Sequence, residues 1–255
     1  MGSKKKVRNK MCDDHKYHTD KNEYIPFPVK VLKKIMGREL LDYQIERLGN
    51  LKNVDNIIVA TTENDYDDPI AFLCKKIGCS VYRGSEHDVL ARYYKAAISF
   101  DANCIVRINS DCPLIDPFVV DSIIEKYLLC YPKYDYISNI LERSYPIGLH
   151  TEVFSMDALE VAYKNSVDPG EREHVTPYIY RNKSLFNLKS VKIDQDLSKY
   201  RWTVDYPEDF KLIEEILTNI YPNNNNFSMY DVLNYLDCNP QLVEINSGIE
   251  KIQTF

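Results

Sequence analysis

Two acidic turns are the parts of this sequence best suited to chemistry. Asp111 closes a turn that follows the apolar run 104–108, and Asp205 directly follows the run 202–204. Both runs have the β-branched and aromatic residues that are typical of buried strands. In open α/β sheets, ligands bind beyond the carboxyl ends of the strands. If the two strands are neighbours, Asp111 and Asp205 could share one Mg²⁺, an ion that joins carboxylate oxygens to phosphate oxygens.

The same two turns also have a purely structural interpretation. Aspartate is a preferred helix cap, and Pro117 and Pro207 each mark the first turn of a helix that follows. Asp111, or Asp116 close to it, and Asp205 would then only cap helices or close Asx turns. The sequence leaves the metal site and the capping role open as alternatives.

A charged segment, 168–177, and a carboxylate inside a strand are further candidates for ligand binding. Arg172 has the planar guanidinium that binds a carboxylate or a phosphate through two parallel hydrogen bonds. His174 can donate to a sugar hydroxyl or take part in proton transfer. The alternative is a surface ion-pair face beside a half-buried histidine. Glu152 lies within the predicted strand 150–155, so its side chain points either to solvent or into a cleft.

Three charged residues in or near predicted strands complete the candidates. Arg83 and Asp88 flank a turn at the carboxyl end of a predicted strand. Arg107 lies inside the first of the two apolar runs, where an unpaired charge would be costly. We therefore predict an acidic partner for Arg107, with Asp111, Asp205 and Asp88 as the candidates.

Residues 1–27 are polar and show neither helical nor strand periodicity. Gly2 and Ser3 precede a basic cluster that ends at Lys10. Such a loop could hold phosphates through its backbone N–H groups and its cations. The alternative is a disordered start or a remnant of an expression tag.

The elements that position these residues follow from hydrophobic periodicity and from the places of proline and glycine. Helices are predicted at 39–51, 69–77, 86–100, 117–127, 156–163, 207–220 and 228–236, and strands at 56–61, 79–83, 104–108, 134–138, 150–155, 185–193 and 200–204. The βαβα order of the first half predicts an α/β fold with a doubly wound, mostly parallel sheet. We predict a single domain over 1–255, with 1–27 as an atypical polar loop and 228–255 as a C-terminal helical tail.

Composition excludes several classes of protein. The chain has 255 residues, 44% of them hydrophobic, as in ordinary globular domains. A net charge of −6 argues against general nucleic-acid binding. No apolar run is long enough to cross a bilayer, and the basic start is not followed by the apolar segment of a secretory signal. With seven cysteines scattered among predicted core segments, these features predict a cytoplasmic protein with reduced thiols.

Five motifs in order along the chain resemble one known family. They are the ranges 83–97, 106–117, 148–155, 171–177 and 201–210. Together they resemble the cytidylyltransferase-type family of spore coat polysaccharide biosynthesis protein F, which is similar to the CMP-ketodeoxyoctonate and CMP-sialic acid synthetases. The resemblance implies a Rossmann-like nucleotide-diphospho-sugar transferase fold. It also implies an Mg²⁺-dependent nucleotidyltransferase that activates an acidic sugar or related acceptor with CTP, in surface polysaccharide biosynthesis.

The resemblance assigns roles to the candidates. It implies that Asp111 and Asp205 are metal ligands and, with Lys10, catalytic residues. It assigns nucleotide binding to Gly2, Ser3, Lys10, Arg83, Asp88 and Arg107, and acceptor binding to Glu152, Arg172 and His174. Related synthetases are commonly dimers, so a homodimer is expected.

The sequence departs from the family pattern at three places. The apolar strand and arginine that usually open the pattern do not precede Met1, so the sheet is predicted to lack its first strand. Ser110 replaces a usual glycine, and His150 replaces a usual aspartate. Two alternatives therefore stay open. One is a catalytically impaired homologue that binds a nucleotide or a partner, and the other is a glycosyltransferase that uses a sugar nucleotide.

Overall fold

The computed structural model describes residues 10–13 and 29–249, and these residues form one seven-stranded sheet, a small hairpin and flanking helices. The strands are β1 (Lys10–Asp13), β2 (Lys34–Ile35), β3 (Arg38–Glu39), β4 (Ile57–Thr62), β5 (Ser80–Gly84), β6 (Cys104–Asn109), β7 (Tyr136–Ser138), β8 (Glu152–Ser155) and β9 (Leu188–Ser190). The helices are α1 (Val29–Leu32), α2 (Leu40–Leu48), α3 (Asp68–Ile77), α4 (Val89–Ser99), α5 (Pro117–Cys130), α6 (Met156–Asn165), α7 (Pro169–His174), α8 (Pro177–Arg181), α9 (Pro207–Ile220) and α10 (Met229–Cys238). Within the described part of the chain, no helix is both long and apolar enough to cross a membrane.

The large sheet has the strand order β5-β4-β1-β6-β8-β7-β9. Strand β1 pairs in parallel with β4 and β6, whereas β8 pairs antiparallel with both β6 and β7. Of the strands described in this sheet, β8 therefore runs against the other six. The predicted α/β fold with a mostly parallel sheet is confirmed.

Helices cover both faces of the sheet. Successive side chains of a strand point to opposite faces, and here both faces carry apolar side chains. On β6, Val106 and Ile108 pack into a core shared with α2, α5, α9 and α10. Ile105 faces the opposite way, into a core shared with α4, α6 and α8. This alternation explains why the run 104–108 is apolar on both faces apart from Arg107, and it agrees with the predicted doubly wound sheet.

The prediction that the sheet lacks its first strand is wrong. The backbone of β1 lies between β4 and β6, with Lys10 opposite Ile57 on one side and Val106 on the other. Four residues with the sequence Lys-Met-Cys-Asp are too few and too polar to show a periodic signal. Their place in the sheet is set by the ladder hydrogen bonds that the two neighbouring strands offer.

The strand predicted at 200–204 is also wrong. This segment makes a single bridge, between Arg201 and Ile147, and is otherwise irregular. Its close neighbour is Gly148, at φ +102°, where an added Cβ would lie 2.7 Å from the carbonyl atoms of Trp202. The approach is too close for the side chains of a regular strand pair. The strands predicted at 134–138, 150–155 and 185–193 are present but shorter, as β7, β8 and β9.

Candidate active site

One buried lysine joins the two acidic turns. The Nζ atom of Lys30 lies 2.8 Å from Oδ2 of Asp111 and 2.9 Å from Oδ1 of Asp205. Lys30 is 1% exposed and Asp111 is 8% exposed, so little solvent screens these charges. Two negatively charged carboxylates this close repel each other, and the shared ammonium offsets that repulsion. The structure thus brings together the two aspartates that the sequence singled out.

Three separate parts of the chain meet at this site. Asp111 lies just beyond the carboxyl end of β6, and Lys30 is carried by the short helix α1. The backbone N–H of Val204 donates to the carbonyl of Asp111 at 2.9 Å, and the hydroxyl of Thr203 donates to the same carbonyl at 3.3 Å. These two bonds set the acidic turns side by side, although the segment before Asp205 is not a strand.

A guanidinium and a third carboxylate hold Asp205 by its other oxygen. Nη2 of Arg201 lies 2.5 Å from Oδ2 of Asp205, and Nε of Arg201 lies 3.0 Å from Oδ1 of Asp209. Oδ2 of Asp209 accepts from the backbone N–H groups of Asp205 and Tyr206, at 3.0 and 3.1 Å. Asp209, and not Asp205, therefore supplies the carboxylate that caps α9. Burial lowers the pKa of Arg201, but the carboxylates of Asp209 and Asp205 more than offset it, so the net pKa is raised.

The neighbouring carboxylate Asp116 has a purely structural role. Its Oδ1 accepts from the N–H of Phe118 at 2.8 Å, which caps α5, and its Oδ2 accepts from the N–H of Met229 at 2.6 Å. Asp116 therefore joins α5 to the first turn of α10 and is occupied on both oxygens. The capping interpretation holds for Asp116, whereas the carboxylates of Asp111 and Asp205 point to the shared ammonium.

The pair of carboxylates fits a magnesium ion that also binds phosphate. Mg²⁺ is commonly held by one or two protein carboxylates, and waters and phosphate oxygens complete its octahedron. Asp111 and Asp205 supply two carboxylates at one point, where Lys30 shows that a positive charge is accommodated. Among the described residues, no group of three or more His, Cys, Asp or Glu side chains is gathered for a metal, so an all-protein cage is not available there. Magnesium binding by the two aspartates stays a prediction.

Arg107 has a partner that the sequence did not predict. Its Nη1 lies 2.5 Å from Oε1 of Glu152, directly across the β6–β8 pair. Oε2 of Glu152 accepts from the hydroxyls of Tyr136 and Thr176, each at 2.6 Å. Glu152 is 2% exposed, so its carboxylate is enclosed and fully engaged. The antiparallel pairing that opposes the two residues cannot be read from either motif, and we leave both out of the proposed site.

Arg172 and Asp88, predicted to bind different ligands, bind each other. Nη2 and Nε of Arg172 lie 2.6 and 3.0 Å from Oδ2 of Asp88, and Nη1 donates to the carbonyls of Tyr163 and Ser166. Oδ1 of Asp88 accepts from the N–H of Ala91 and so caps α4. All three nitrogens of the guanidinium are used. This ion pair fastens α7 to the start of α4, and neither residue is included in the proposed site.

Arg83 is likewise used to hold the chain together. Its Nη1 lies 2.5 Å from Asp68, and its Nε and Nη2 donate to the carbonyls of Thr62 and Asn64. Arg83 therefore ties the edge strand β5 to the loop that follows β4. We do not include it in the proposed site.

The predicted phosphate loop is only partly within the structure. Gly2 and Ser3 lie outside the described residues. Lys10 stands at the start of β1, as the first residue of a central strand and not in a loop. The lysine that the structure places between the acidic turns is Lys30 instead.

His150 lies at the same edge of the sheet as Asp111. Because β8 runs antiparallel to β6, the residues that precede β8 lie near the carboxyl end of β6. Asn139 holds both neighbours of His150, since its Nδ2 donates to the carbonyl of Leu149 and its Oδ1 accepts from the N–H of Thr151, each at 2.8 Å. Burial, with the charge of Arg143 as a second cause, lowers the pKa of His150 to about 4, so the ring is neutral near pH 7. Part of its surface remains accessible.

His174 stands at the end of α7 beside a strained turn. Val175, which is fully buried, adopts φ 70° and ψ −56°, and the N–H of Thr176 donates to the carbonyl of His174 at 2.8 Å. A γ-turn of this hand is rare, and a β-branched residue in it costs about 1–3 kcal/mol. The turn directs Thr176 to Glu152, while His174 itself is half-buried.

The sequence reasoning missed Lys30, Arg201 and Asp209. A signal for Lys30 exists, because it is a single lysine within an otherwise apolar stretch at 29–32. A lysine in such a position is either exposed or paired inside the protein. Arg201 and Asp209 flank Asp205 at the spacings that a helix start brings together, which is a weaker signal.

Comparisons with known proteins group these features in one family. A family model described as cytidylyltransferase matches residues 27–232. An uncharacterized protein of Methanocaldococcus jannaschii is 40% identical over 224 residues, which cover 87% of this chain and 89% of that protein. Spore coat polysaccharide biosynthesis protein SpsF of Bacillus subtilis is 30% identical over 196 residues, 74% of this chain and 80% of that protein. A 3-deoxy-manno-octulosonate cytidylyltransferase of Chlamydia trachomatis is 26% identical over 231 residues, 75% of this chain and 89% of that enzyme.

Solved structures share the fold. A cytidylyltransferase from Leptospira borgpetersenii superimposes with a TM-score of 0.84 at 27% identity, over 98% of this chain and 100% of that chain. A CMP:2-keto-3-deoxy-manno-octonic acid synthetase complexed with CTP has a TM-score of 0.59 at 14% identity, a likeness of fold alone, over 84% of this chain and 98% of that chain. These matches confirm the nucleotide-diphospho-sugar transferase type of fold. The lysine-bridged pair of acidic turns is thus found in a protein that belongs to the cytidylyltransferase family.

Proposed function

We propose that this protein transfers the cytidylyl group of CTP to an acidic sugar or a related acceptor and releases pyrophosphate. The observation that carries the proposal is the cluster of Lys30, Asp111 and Asp205 at the carboxyl edge of β6. Ligands bind at this edge of open α/β sheets, and clustered cations with metal-binding carboxylates are what phosphoryl chemistry needs. Membership of the cytidylyltransferase family supports the choice of CTP.

In this reaction an acceptor oxygen attacks the α-phosphorus of CTP, the bond from that phosphorus to the bridging oxygen of the β-phosphate breaks, and the acceptor hydroxyl loses its proton to solvent. Asp111 and Asp205 would hold a Mg²⁺, which would supply positive charge for the phosphate oxygens. Lys30 adds a cation at the same point and stabilises the negative charge that spreads over the transferred group. Arg201 fixes the orientation of Asp205 through its bond to Oδ2.

The acceptor is best assigned to the side of the site that carries His150. Glu152 and Arg172 are engaged within the protein, whereas His150 makes no hydrogen bond within the described part of the chain and is only half-buried. A neutral imidazole offers one donor and one acceptor, which suits a sugar hydroxyl. His174 remains a candidate for the same role. A part in surface polysaccharide biosynthesis is supported by the likeness to the spore coat protein.

Incubation with CTP, MgCl₂ and a panel of sugar acids tests the proposal, with pyrophosphate and the CMP-linked product measured together. We expect product from at least one acceptor, and a loss of about 100-fold or more in Asp111→Asn, because a group that acts on transition-state charge is removed. Asp55→Asn, an exposed aspartate, is the matched control and keeps full activity. Absence of both products with every acceptor contradicts the proposal. Magnesium-independent CTP binding without turnover would instead favour a non-catalytic homologue.

A further inference from the structure

A C-terminal asparagine reaches back to the charged residues that hold Asp205. Asn246 directly follows the 3-10 helix Pro240–Ile245 and is 6% exposed. Its Nδ2 donates to Oδ1 of Asp209 and to the carbonyl of Arg201, both at 2.9 Å. Both hydrogens of the amide are therefore used, and both go to the two residues that contact Asp205.

The contact completes the hydrogen bonding of Asp209. This carboxylate is fully buried and already accepts from Arg201 on one side and from the N–H groups of Asp205 and Tyr206 on the other. Burial raises the pKa of Asp209, and the bonds from Arg201 and Asn246 act against that rise. The amide supplies a donor without adding a charge to a site that already holds several.

A continuous set of bonds thus joins Asn246 to the acidic turns. The amide holds Asp209 and the backbone of Arg201, Arg201 holds Oδ2 of Asp205, and Lys30 holds Oδ1 of the same carboxylate. The orientation of Asp205 is therefore set from both of its oxygens. Residues that orient a metal-binding carboxylate in this way commonly change metal affinity when they are replaced.

The segment that carries Asn246 lies beyond the residues that the family model matches, which end at 232. It is nevertheless folded onto the core, where Leu242, Val243 and Ile245 pack against the cluster shared by α9 and α10. These apolar contacts place the amide, and the two hydrogen bonds fix its direction. The C-terminal segment is thus more than a tail, because it completes the surroundings of the site.

We propose that Asn246 is a positioning residue, which orients Asp205 for magnesium and the CTP phosphates through Asp209 and Arg201. The inference rests on the proposed function and extends it to the C-terminal segment. Asn246 itself touches no reacting group.

Asn246→Asp tests the inference, because aspartate keeps the shape of the side chain, removes the donor and places a second carboxylate against Asp209. We expect the Mg²⁺ concentration for half-maximal pyrophosphate release to rise about 10-fold, with a smaller change in kcat at saturating Mg²⁺. Asn239→Asp is the matched control, since Asn239 donates to the carbonyl of Tyr235 in the same segment and contacts neither Arg201 nor Asp209. Equal magnesium dependence in the two variants would overturn the inference. If Asn246→Asp does not fold, Asn246→Ala is compared with Asn239→Ala in the same way.

A second measurement separates this inference from the proposed function. In thermal unfolding without nucleotide, we expect the effects of Asn246→Asp and Asp205→Asn to be non-additive, although the two residues do not touch. Additive shifts in melting temperature would refute the coupling. If the wild-type protein makes no pyrophosphate with any acceptor, the proposed function fails, while this double-mutant cycle still decides whether Asn246 acts on Asp205.

Discussion

Replacing Lys30 with methionine tests whether the space between the acidic turns is a cation site. Methionine keeps the length of the side chain and removes its charge. Removing one partner of a buried ion pair costs about 3–5 kcal/mol, because the remaining charge stays in a poorly solvated place. Asp205 keeps its bond to Arg201, so the loss falls mainly on Asp111. We therefore expect the lower end of the range, about 3 kcal/mol of unfolding free energy.

Magnesium should restore much of this stability in the variant. An ion that binds only the folded state stabilises it by about 2.7 kcal/mol when its free concentration is 100 times its Kd. In Lys30→Met the ion meets two carboxylates that have lost their ammonium. In the wild-type protein the ammonium of Lys30 already offsets part of their negative charge, so a smaller gain is expected.

Denaturant unfolding with and without MgCl₂ measures both effects. Arg107→Met is the matched control, because it breaks another buried ion pair, with Glu152, at a place that is not predicted to bind metal. We expect a similar loss of stability there and no recovery with magnesium. The cation site is refuted if the unfolding free energy of Lys30→Met falls by less than about 1 kcal/mol, or if magnesium stabilises Lys30→Met and Arg107→Met equally.

Three further predictions concern the pH response, the close approach at Gly148 and the buried ion pair. Burial lowers the pKa of His150 from 6.5 to about 4, so the neutral ring contributes to the free energy of unfolding above about pH 6.5. This contribution, up to about 3 kcal/mol, is lost as the pH falls towards 4, and His150→Asn should flatten the dependence of the unfolding free energy on pH in that range. Gly148→Ala should lower the melting temperature by about 6–12 °C, since its Cβ meets backbone, whereas Gly248→Ala, with nothing within 4 Å, should change little. Glu152→Gln should cost about 3–5 kcal/mol and leave the KM for CTP unchanged in the folded fraction, because it acts through Arg107; an altered KM with unchanged stability would contradict this.

The layered α/β fold could be predicted because its signals are local. Strands and amphipathic helices each have a characteristic spacing of apolar residues, and prolines such as Pro117 and Pro207 mark the first turn of a helix. Strand β1 could not be predicted in this way, because its four residues carry no period and depend on ladder bonds from both neighbours. The segment 200–204 has the composition of a strand but lies against Gly148 in an arrangement that allows one bridge.

The candidate site was predictable only to the extent that its residues follow apolar runs. Asp111 and Asp205 were found from their positions after apolar runs, and the structure does bring them together. Their link, Lys30, lies in another part of the chain, and no local rule connects it to them. Arg172 and Asp88 are an opposite case. From the sequence each was predicted to bind a ligand, but in the structure they form an ion pair with each other.

The reversed direction of β8 brings a second loop to the carboxyl edge of β6. The five residues 147–151, which lead into β8, lie near the carboxyl end of β6, and they are fixed by Asn139 and by the segment around Trp202. Lys30 and the acidic turns are held by other contacts. In the proposed reaction, substitutions in this short loop can therefore alter which acceptor is taken while the machinery for the nucleotide is preserved. Such an arrangement lets one scaffold serve a series of sugar substrates during evolution.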